Sequence, residues 1–147
     1  MENKYEILKL KNQLCFPIYL CSKEIVRKYN NILKEYNLTY TQYIVMMFLW
    51  EHNETNVNNL GNTLLLDSST LTPLLKKLEN KGFIIREKSK MDERNLVIKL
   101  TTKGINLKDK ILNVPERIFN CLNLTSKEAE DFYNLLYKTI LNMRKDD

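Results

Sequence analysis

The sequence predicts a mainly α-helical chain with one small β-hairpin, and three observations predict it. Apolar residues recur at helical spacing over most of the 147 residues. Gly and Pro number only three each, too few for a turn-rich sandwich or barrel. Two short β-rich runs flank a charged tip between residues 83 and 101. Apolar residues at 44% and charged residues at 28% are ordinary for a soluble globular chain, and the length suffices for one domain with its own core.

Residues from about Glu6 to Tyr36 read as one long helix, with Ile7, Leu10, Leu14, Ile18, Cys21, Ile25 and Ile32 spaced by three, four or seven. Pro17 lies inside it and is expected to kink it. Thr39 is an N-cap for a second helix through Tyr43, Met46, Met47 and Trp50, ending before Asn53. A short helix from about Val57 to Leu64 follows. Asp67 or Ser68 then caps a helix running to Asn80, with Gly82 as its stop signal. Phe83 to Lys88 and Asn95 to Thr101 are the strands of the hairpin, with Ser89 to Arg94 between them. Helices from about Thr102 to Cys121 and from Ser126 to Met143 finish the chain. The last is entered through Thr125-Ser126-Lys127-Glu128, which resembles a capping box.

This order is that of a winged helix-turn-helix, residues 38–101, with extra helices at both ends, 1–37 and 102–147. Ile105, Leu112, Ile118, Leu135, Leu136 and Ile140 exceed what a lone winged module covers. The end helices are therefore expected to build a homodimer, whose two-fold symmetry predicts paired half-sites on a duplex.

Charge supports a polyanion partner. The net charge is +5, and Ser68 to Lys99 holds eight cations against four anions, a net of +4. Ser68, Ser69, Thr70 and Thr72 crowd the start of the proposed recognition helix, where short hydroxyls permit close approach to base edges. Leu71, Leu74, Leu75 and Leu78 form the stripe behind them, which leaves Lys76 and Lys77 near the DNA backbone. Arg86 belongs to the same basic stretch. At the hairpin tip Arg94 suits a minor groove, with Asp92 two residues away to orient it. Double-stranded DNA is the expected partner.

The longest apolar run, Ile44 to Trp50, is far too short to span a bilayer, and the N-terminus lacks an apolar signal core. No membrane association is expected, and a cytoplasmic location is. The cysteines are Cys15, Cys21 and Cys121. They lack the close Cys/His spacing of a zinc site, and His52 is the only histidine, so neither metal nor cofactor is expected. A structural disulfide is disfavoured in a reducing cytosol, which leaves these thiols either as packing residues or as redox groups.

Cys15 and Tyr19 share a helix face as i and i+4. Tyr29, Tyr36, Tyr40 and Tyr43 gather around the first interhelical turn. A phenol that donates to a thiolate lowers its pKa, whereas tyrosines at an interface also serve simply as packing. A sulfenic acid formed by peroxide needs a second thiol to become a disulfide. Cys21 lies about 120° around and about 9 Å along a continuous helix from Cys15, beyond the Cα separation of about 7 Å that a disulfide tolerates. Cys121, at the junction of the last two helices, is placed to face Cys15 across a dimer.

The residues leave three readings open: a DNA-binding protein that responds to peroxide, one that responds instead to a small phenolic ligand, and a Cys-based thiol peroxidase. The enzyme reading is disfavoured. The chain lacks a Cys-x-x-Cys pair, and His52 has no evident place beside Cys15.

The segments Gln13-Leu14-Cys15-Phe16, Leu38-Thr39-Tyr40-Thr41-Gln42-Tyr43, Leu49-Trp50-Glu51-His52, Leu66 to Lys77 and Asp92-Glu93-Arg94 together resemble the MarR family. Within it they are most similar to the organic hydroperoxide resistance regulators, over nearly the whole chain 1–147. The resemblance implies a dimeric repressor whose peroxide-sensing thiol corresponds to Cys15. It also implies that tyrosines of the partner subunit, matching Tyr29 and Tyr40, hydrogen-bond that thiolate, with Tyr19 beside it. Family members resolve the sulfenic acid with a small thiol or with a cysteine near the end of the fifth helix. Cys121 falls close to that position, and the two-cysteine route is the preferred expectation. The resemblance thus implies a non-enzymatic repressor that holds a palindromic operator and releases it when organic hydroperoxide oxidises Cys15. The wing reads Arg94-Asn95, where Asn95 would alter contacts without removing DNA binding.

Overall fold

Pro17 decides where the first helix begins. In a computed structural model of the protein, which describes residues 4–89 and 96–145, residues before Pro17 form two single 3-10 turns, Glu6–Leu8 and Leu10–Asn12. Helix α1 then runs Cys15–Leu33 with Pro17 in its first turn. A proline inside a helix loses one hydrogen bond and clashes with the carbonyl four residues back; in the first turn neither cost arises. The expected helix from Glu6 to Tyr36 is corrected accordingly: the proline starts the helix rather than kinking it. Its far end closes in a 3-10 turn, Lys34–Tyr36, and Asn37 turns the chain in the left-handed region at φ 56°.

Side-chain caps place most of the later helices. Helix α2, Tyr40–His52, starts at a reciprocal box in which Thr39 and Gln42 satisfy each other's backbone amides. Asn56 caps α3, Val57–Leu64, and Asp67 caps α4, Ser68–Asn80. Each such cap contributes about 1 kcal/mol. That matters most for α3, which at eight residues is too short to persist alone. Its Leu60, fully buried, anchors it to the core.

A three-stranded antiparallel sheet follows the order β1-β3-β2. Strands β2, Ile84–Lys88, and β3, Leu96–Leu100, form the expected hairpin. Strand β1, Glu54–Asn56, was not expected, because three mainly polar residues carry no alternating signal. It pairs with β3 in the register Thr55 to Ile98, and both residues are buried. The expected helix from Thr102 to Cys121 is broken into α5, Thr102–Lys110, and α6, Val114–Leu122. Pro115 is the reason. Its ring would collide with the carbonyl of Ile111 in a continuous helix, so it sits in the first turn of a new one. Helix α7, Ser126–Met143, opens at the Thr125/Glu128 capping box.

The chain divides into two units, Met1–Leu112 and Asn113–Asp147. The core of the first surrounds α2, which carries no polar stripe: Tyr43, Val45, Met46, Phe48 and Leu49 are all buried. Helices α1, α3, α4 and α5 and strands β1 and β3 all pack on it. The Trp50 indole N–H closes one side by donating to the Gly104 carbonyl at 2.9 Å. In the second unit α6 buries Val114 and Ile118, whereas α7 buries none of its side chains. Ile118, expected to need a partner, is therefore already covered. Ile105, Leu112 and Leu135 remain 54%, 69% and 61% exposed. Among the described residues no helix is long and apolar enough to cross a membrane.

Gly104 sets how closely α5 approaches the sheet. A Cβ there would lie 2.1 Å from the Phe83 carbonyl oxygen, a backbone atom that is itself held by the Thr101 amide. Gly104→Ala is expected to destabilise the fold by about 2–3 kcal/mol or more, read as a lowered denaturant midpoint; an unchanged midpoint would refute the close approach.

Candidate functional site

The angle between α3 and α4 is set within three linking residues. Leu65 adopts φ 52°, and the Leu66 amide donates back to the Gly61 carbonyl at 3.0 Å. A Cβ on Gly61 would fall 2.8 Å from the Leu66 oxygen and 3.2 Å from Leu71 Cδ1. Only glycine allows this approach, and its role is invisible until the turn is folded. At the start of α4 the Asp67 carboxylate accepts from the Ser69 hydroxyl at 2.6 Å and the Thr70 amide at 2.8 Å. These bonds, the Ser69 hydroxyl first, hold the Asp67 carboxyl below its ordinary range.

Helix α4 is sharply two-sided. Leu71, Leu74, Leu75 and Leu78 are buried, while Ser68, Ser69, Thr70, Thr72, Lys76 and Lys77 are all exposed. One polar helix face therefore collects six of the residues expected at DNA. Arg86 is turned elsewhere. Its Nη2 and Nε donate to Glu79 Oε2 at 2.6 and 3.0 Å, and its backbone N–H donates to Glu79 Oε1 at 3.2 Å. This pair is largely covered and holds the Glu79 carboxyl below its usual range. Arg86 thus braces β2 against α4 rather than standing out toward a ligand. Lys99, another cation of the basic stretch, sits between Glu87 at 3.2 Å and Glu54 at 3.7 Å. Asp92, Arg94 and Asn95 lie outside the described residues.

All three cysteines are free and exposed. Cys15 is the first residue of α1, and Tyr19, also exposed, stands one turn on. The helix runs unbroken from Cys15 through Cys21, so the two thiols stay on different faces. Cys121 is the next-to-last residue of α6. Tyr29, Tyr40 and Tyr43 form a cluster, with ring centroids 4.5 Å apart for Tyr29 and Tyr40 and 5.8 Å apart for Tyr29 and Tyr43. The Tyr40 amide donates to Asn30 Oδ1 at 2.7 Å and ties the cluster together across the turn. Tyr29 lies fourteen residues beyond Cys15 on the same helix, about 21 Å along its axis. The cluster does not reach the Cys15 thiol of its own chain. Among the described residues no three His, Cys, Asp or Glu side chains stand together for a metal ion.

Burial, reinforced by Tyr40 and Tyr43, pushes the Tyr29 phenol up to about 12, and burial raises Tyr40 and Tyr43 as well. All three are hydrogen-bond donors at neutral pH. An acid whose folded pKa is raised ionises first in the unfolded chain, so stability falls as pH climbs from about 10. Ultraviolet titration of tyrosinate is expected to show a late step near pH 12 that Tyr29→Phe removes. Retention of that step in the variant would refute the assignment.

Comparison with known proteins gives these features a context. Residues 27–111, which hold α2 to α5 and the sheet, match the family model "Transcriptional regulator SarA/Rot". The chain is 47% identical to the HTH-type transcriptional regulator SarZ of Staphylococcus aureus over 136 residues, 92% of this chain and 89% of SarZ. It resembles AbfR, a protein of Staphylococcus epidermidis. The structure of reduced AbfR bound to DNA has a TM-score of 0.78 at 36% identity, covering 96% of this chain and 99% of that one. Disulfide-formed AbfR has a TM-score of 0.66 at 37% identity, covering 97% of each chain. The reduced form of MarR from E. coli has a TM-score of 0.74 at 26% identity, covering 86% of this chain and 96% of that one. The chain belongs to the SarA/Rot family of transcriptional regulators, built on a MarR-like winged helix-turn-helix.

Proposed function

We propose that this regulator is a dimeric repressor that holds a palindromic duplex and releases it when an organic hydroperoxide oxidises Cys15. The observation that carries the reading is the setting of Cys15. It is a free, exposed thiol at the first turn of α1, flanked by Leu14 and Ile18 that the single chain leaves uncovered. The relative AbfR, known reduced on DNA and also in a disulfide form, supports a redox role. Apolar surroundings suit an organic peroxide, and residues 1–37 and 102–147 supply the uncovered surface from which a dimer is built. The wing and helices of 38–101 are the DNA-binding part, with Ser68, Ser69, Thr70 and Thr72 toward base edges, Lys76 and Lys77 toward phosphates, and Asp92 and Arg94 at the wing tip.

In this reaction the Cys15 thiolate attacks a peroxide oxygen, the O–O bond breaks, and the alkoxide leaves as alcohol after taking a proton. Sulfur is oxidised to sulfenic acid and the peroxide is reduced. The thiolate of Cys121 in the other subunit then attacks the Cys15 sulfur, and hydroxide departs as water while the disulfide forms. Tyr19 of the same chain, and Tyr29 and Tyr40 of the partner, donate to the thiolate beforehand. Their own chain places Tyr29 about 21 Å from Cys15 along α1, with Tyr40 packed on it, which fits a contact made only across a dimer. Closing the disulfide moves the two recognition helices out of half-site register. The comparisons with transcriptional regulators favour this reading over a peroxidase.

Stoichiometric cumene hydroperoxide is expected to abolish duplex binding by wild type and spare Cys15→Ser; equal loss from both would remove Cys15 as the sensor. On a non-reducing gel the peroxide-induced dimer should require both Cys15 and Cys121, and its persistence in Cys121→Ser would point to a different resolving thiol. Lys77→Ala should lower the slope of log affinity against log salt by about one, whereas Arg86→Gln should leave that slope unchanged.

A further inference from the structure

Lys81 stands at the C-cap of α4, yet its ammonium bonds to a distant part of the chain. It donates to the Asn37 carbonyl at 2.7 Å, in the turn that joins α1 to α2, and to Gln42 Oε1 at 2.9 Å, in the first turn of α2. Gln42 is 3% exposed, and the same oxygen accepts the Thr39 amide at 3.2 Å in the capping box. The carbonyl of Lys81 is held in turn by the Lys103 ammonium at 2.6 Å. The end of the recognition helix is therefore gripped on one side by the α1–α2 turn and on the other by α5. Burial, with Lys77 adding to it, holds the Lys81 ammonium below the ordinary lysine range, as expected of a charge drawn partly out of water to serve buried acceptors.

The same turn carries the tyrosines. Tyr40 lies two residues before Gln42; its amide is bonded to Asn30, and its ring packs on Tyr29. The leucine stripe of α4 attracts the core without fixing a direction, because apolar burial is non-directional. A charge-assisted hydrogen bond is short and oriented, and it sets the angle at which that stripe lies. We infer that Lys81 is a positioning residue that transmits rearrangement of the Tyr29–Tyr40 pair to the recognition helix, an assignment that rests on the repressor reading above. A shift in the first turn of α2 and the turn before it moves Gln42 and Asn37, and through Lys81 it moves the end of α4.

The test uses the full chain and a duplex selected by reduced wild type from a random-sequence pool. Binding is measured across a salt series before and after stoichiometric cumene hydroperoxide, with amide hydrogen exchange followed over residues 34–42 and 68–81. Lys81→Met is expected to keep the wild-type salt slope, to shrink the peroxide-induced loss of affinity at least tenfold, and to raise exchange in both segments together. Lys81→Arg should restore the peroxide response. A full peroxide response in Lys81→Met overturns the inference while leaving the repressor reading intact. A salt slope lowered by about one would make Lys81 a phosphate contact instead and likewise overturn it. A wild type that keeps its duplex after peroxide overturns both. Where circular dichroism finds Lys81→Met unfolded, Lys81→Gln takes its place in the same comparison.

Discussion

Burial of most of α2 is the constraint on which the rest of the first unit depends. A helix with no polar stripe has to be enclosed, and the elements that enclose it include those that bear the candidate site residues. Helix α1 covers the face bearing Tyr43 and brings Tyr29 and Tyr40 into contact. Helix α4 lays its leucines against the same core and is left with a polar outer face. Helix α5 reaches it through the Trp50–Gly104 bond, and the glycine lets α5 lie close against the Phe83 backbone. The capping box at Thr39 and Gln42 therefore does more than start a helix. It is the point where the tyrosine cluster and the end of α4 share neighbouring residues.

The charges sort into two groups that composition treats alike. Arg86, Lys81 and Lys99 are engaged within the protein, respectively by Glu79, by the α1–α2 turn, and by Glu54 and Glu87. Lys76 and Lys77 extend from the outer face of α4. The basic stretch from Ser68 to Lys99 is thus partly a mortar between wing and helix, and only part of its excess is displayed. Exposed ion pairs of this kind add little stability. The shielded Glu79–Arg86 pair matters through geometry, because it fixes β2 to α4.

The thiols show a related division. The unbroken α1 keeps Cys15 and Cys21 on separate faces, and helix rise alone separates Cys15 from Tyr29 of the same chain. Any phenol of that cluster that serves the thiol comes from another copy. The apolar residues left uncovered at Leu14, Ile18, Ile105 and Leu135 are consistent with such a pairing.

Local rules made much of the fold legible in the sequence. Thr39 and Thr125 announced helix starts because a cap acts within three residues, the start of α4 was narrowed to Asp67 or Ser68, and its leucine stripe followed from its period. Pro17 and Pro115 are equally local, yet the helical periodicity around them masked their meaning: each marks a helix start in the folded chain, where Pro17 was expected to kink a helix and a single helix was expected to run through Pro115. Strand β1 escaped notice because its only qualification is a partner, β3, more than forty residues away. Gly61 and Gly104 carried no visible signal, for a glycine's value lies in what approaches it. Sequence by itself determined the helical class, most of the caps, the two-sided α4 and the candidate thiols. Only the tertiary structure decided that Arg86 faces Glu79, that Lys81 reaches Gln42 across 39 positions, and that Trp50 meets Gly104 across 54. Those pairings depend on where the packed core sends each backbone segment, which no short window of residues encodes.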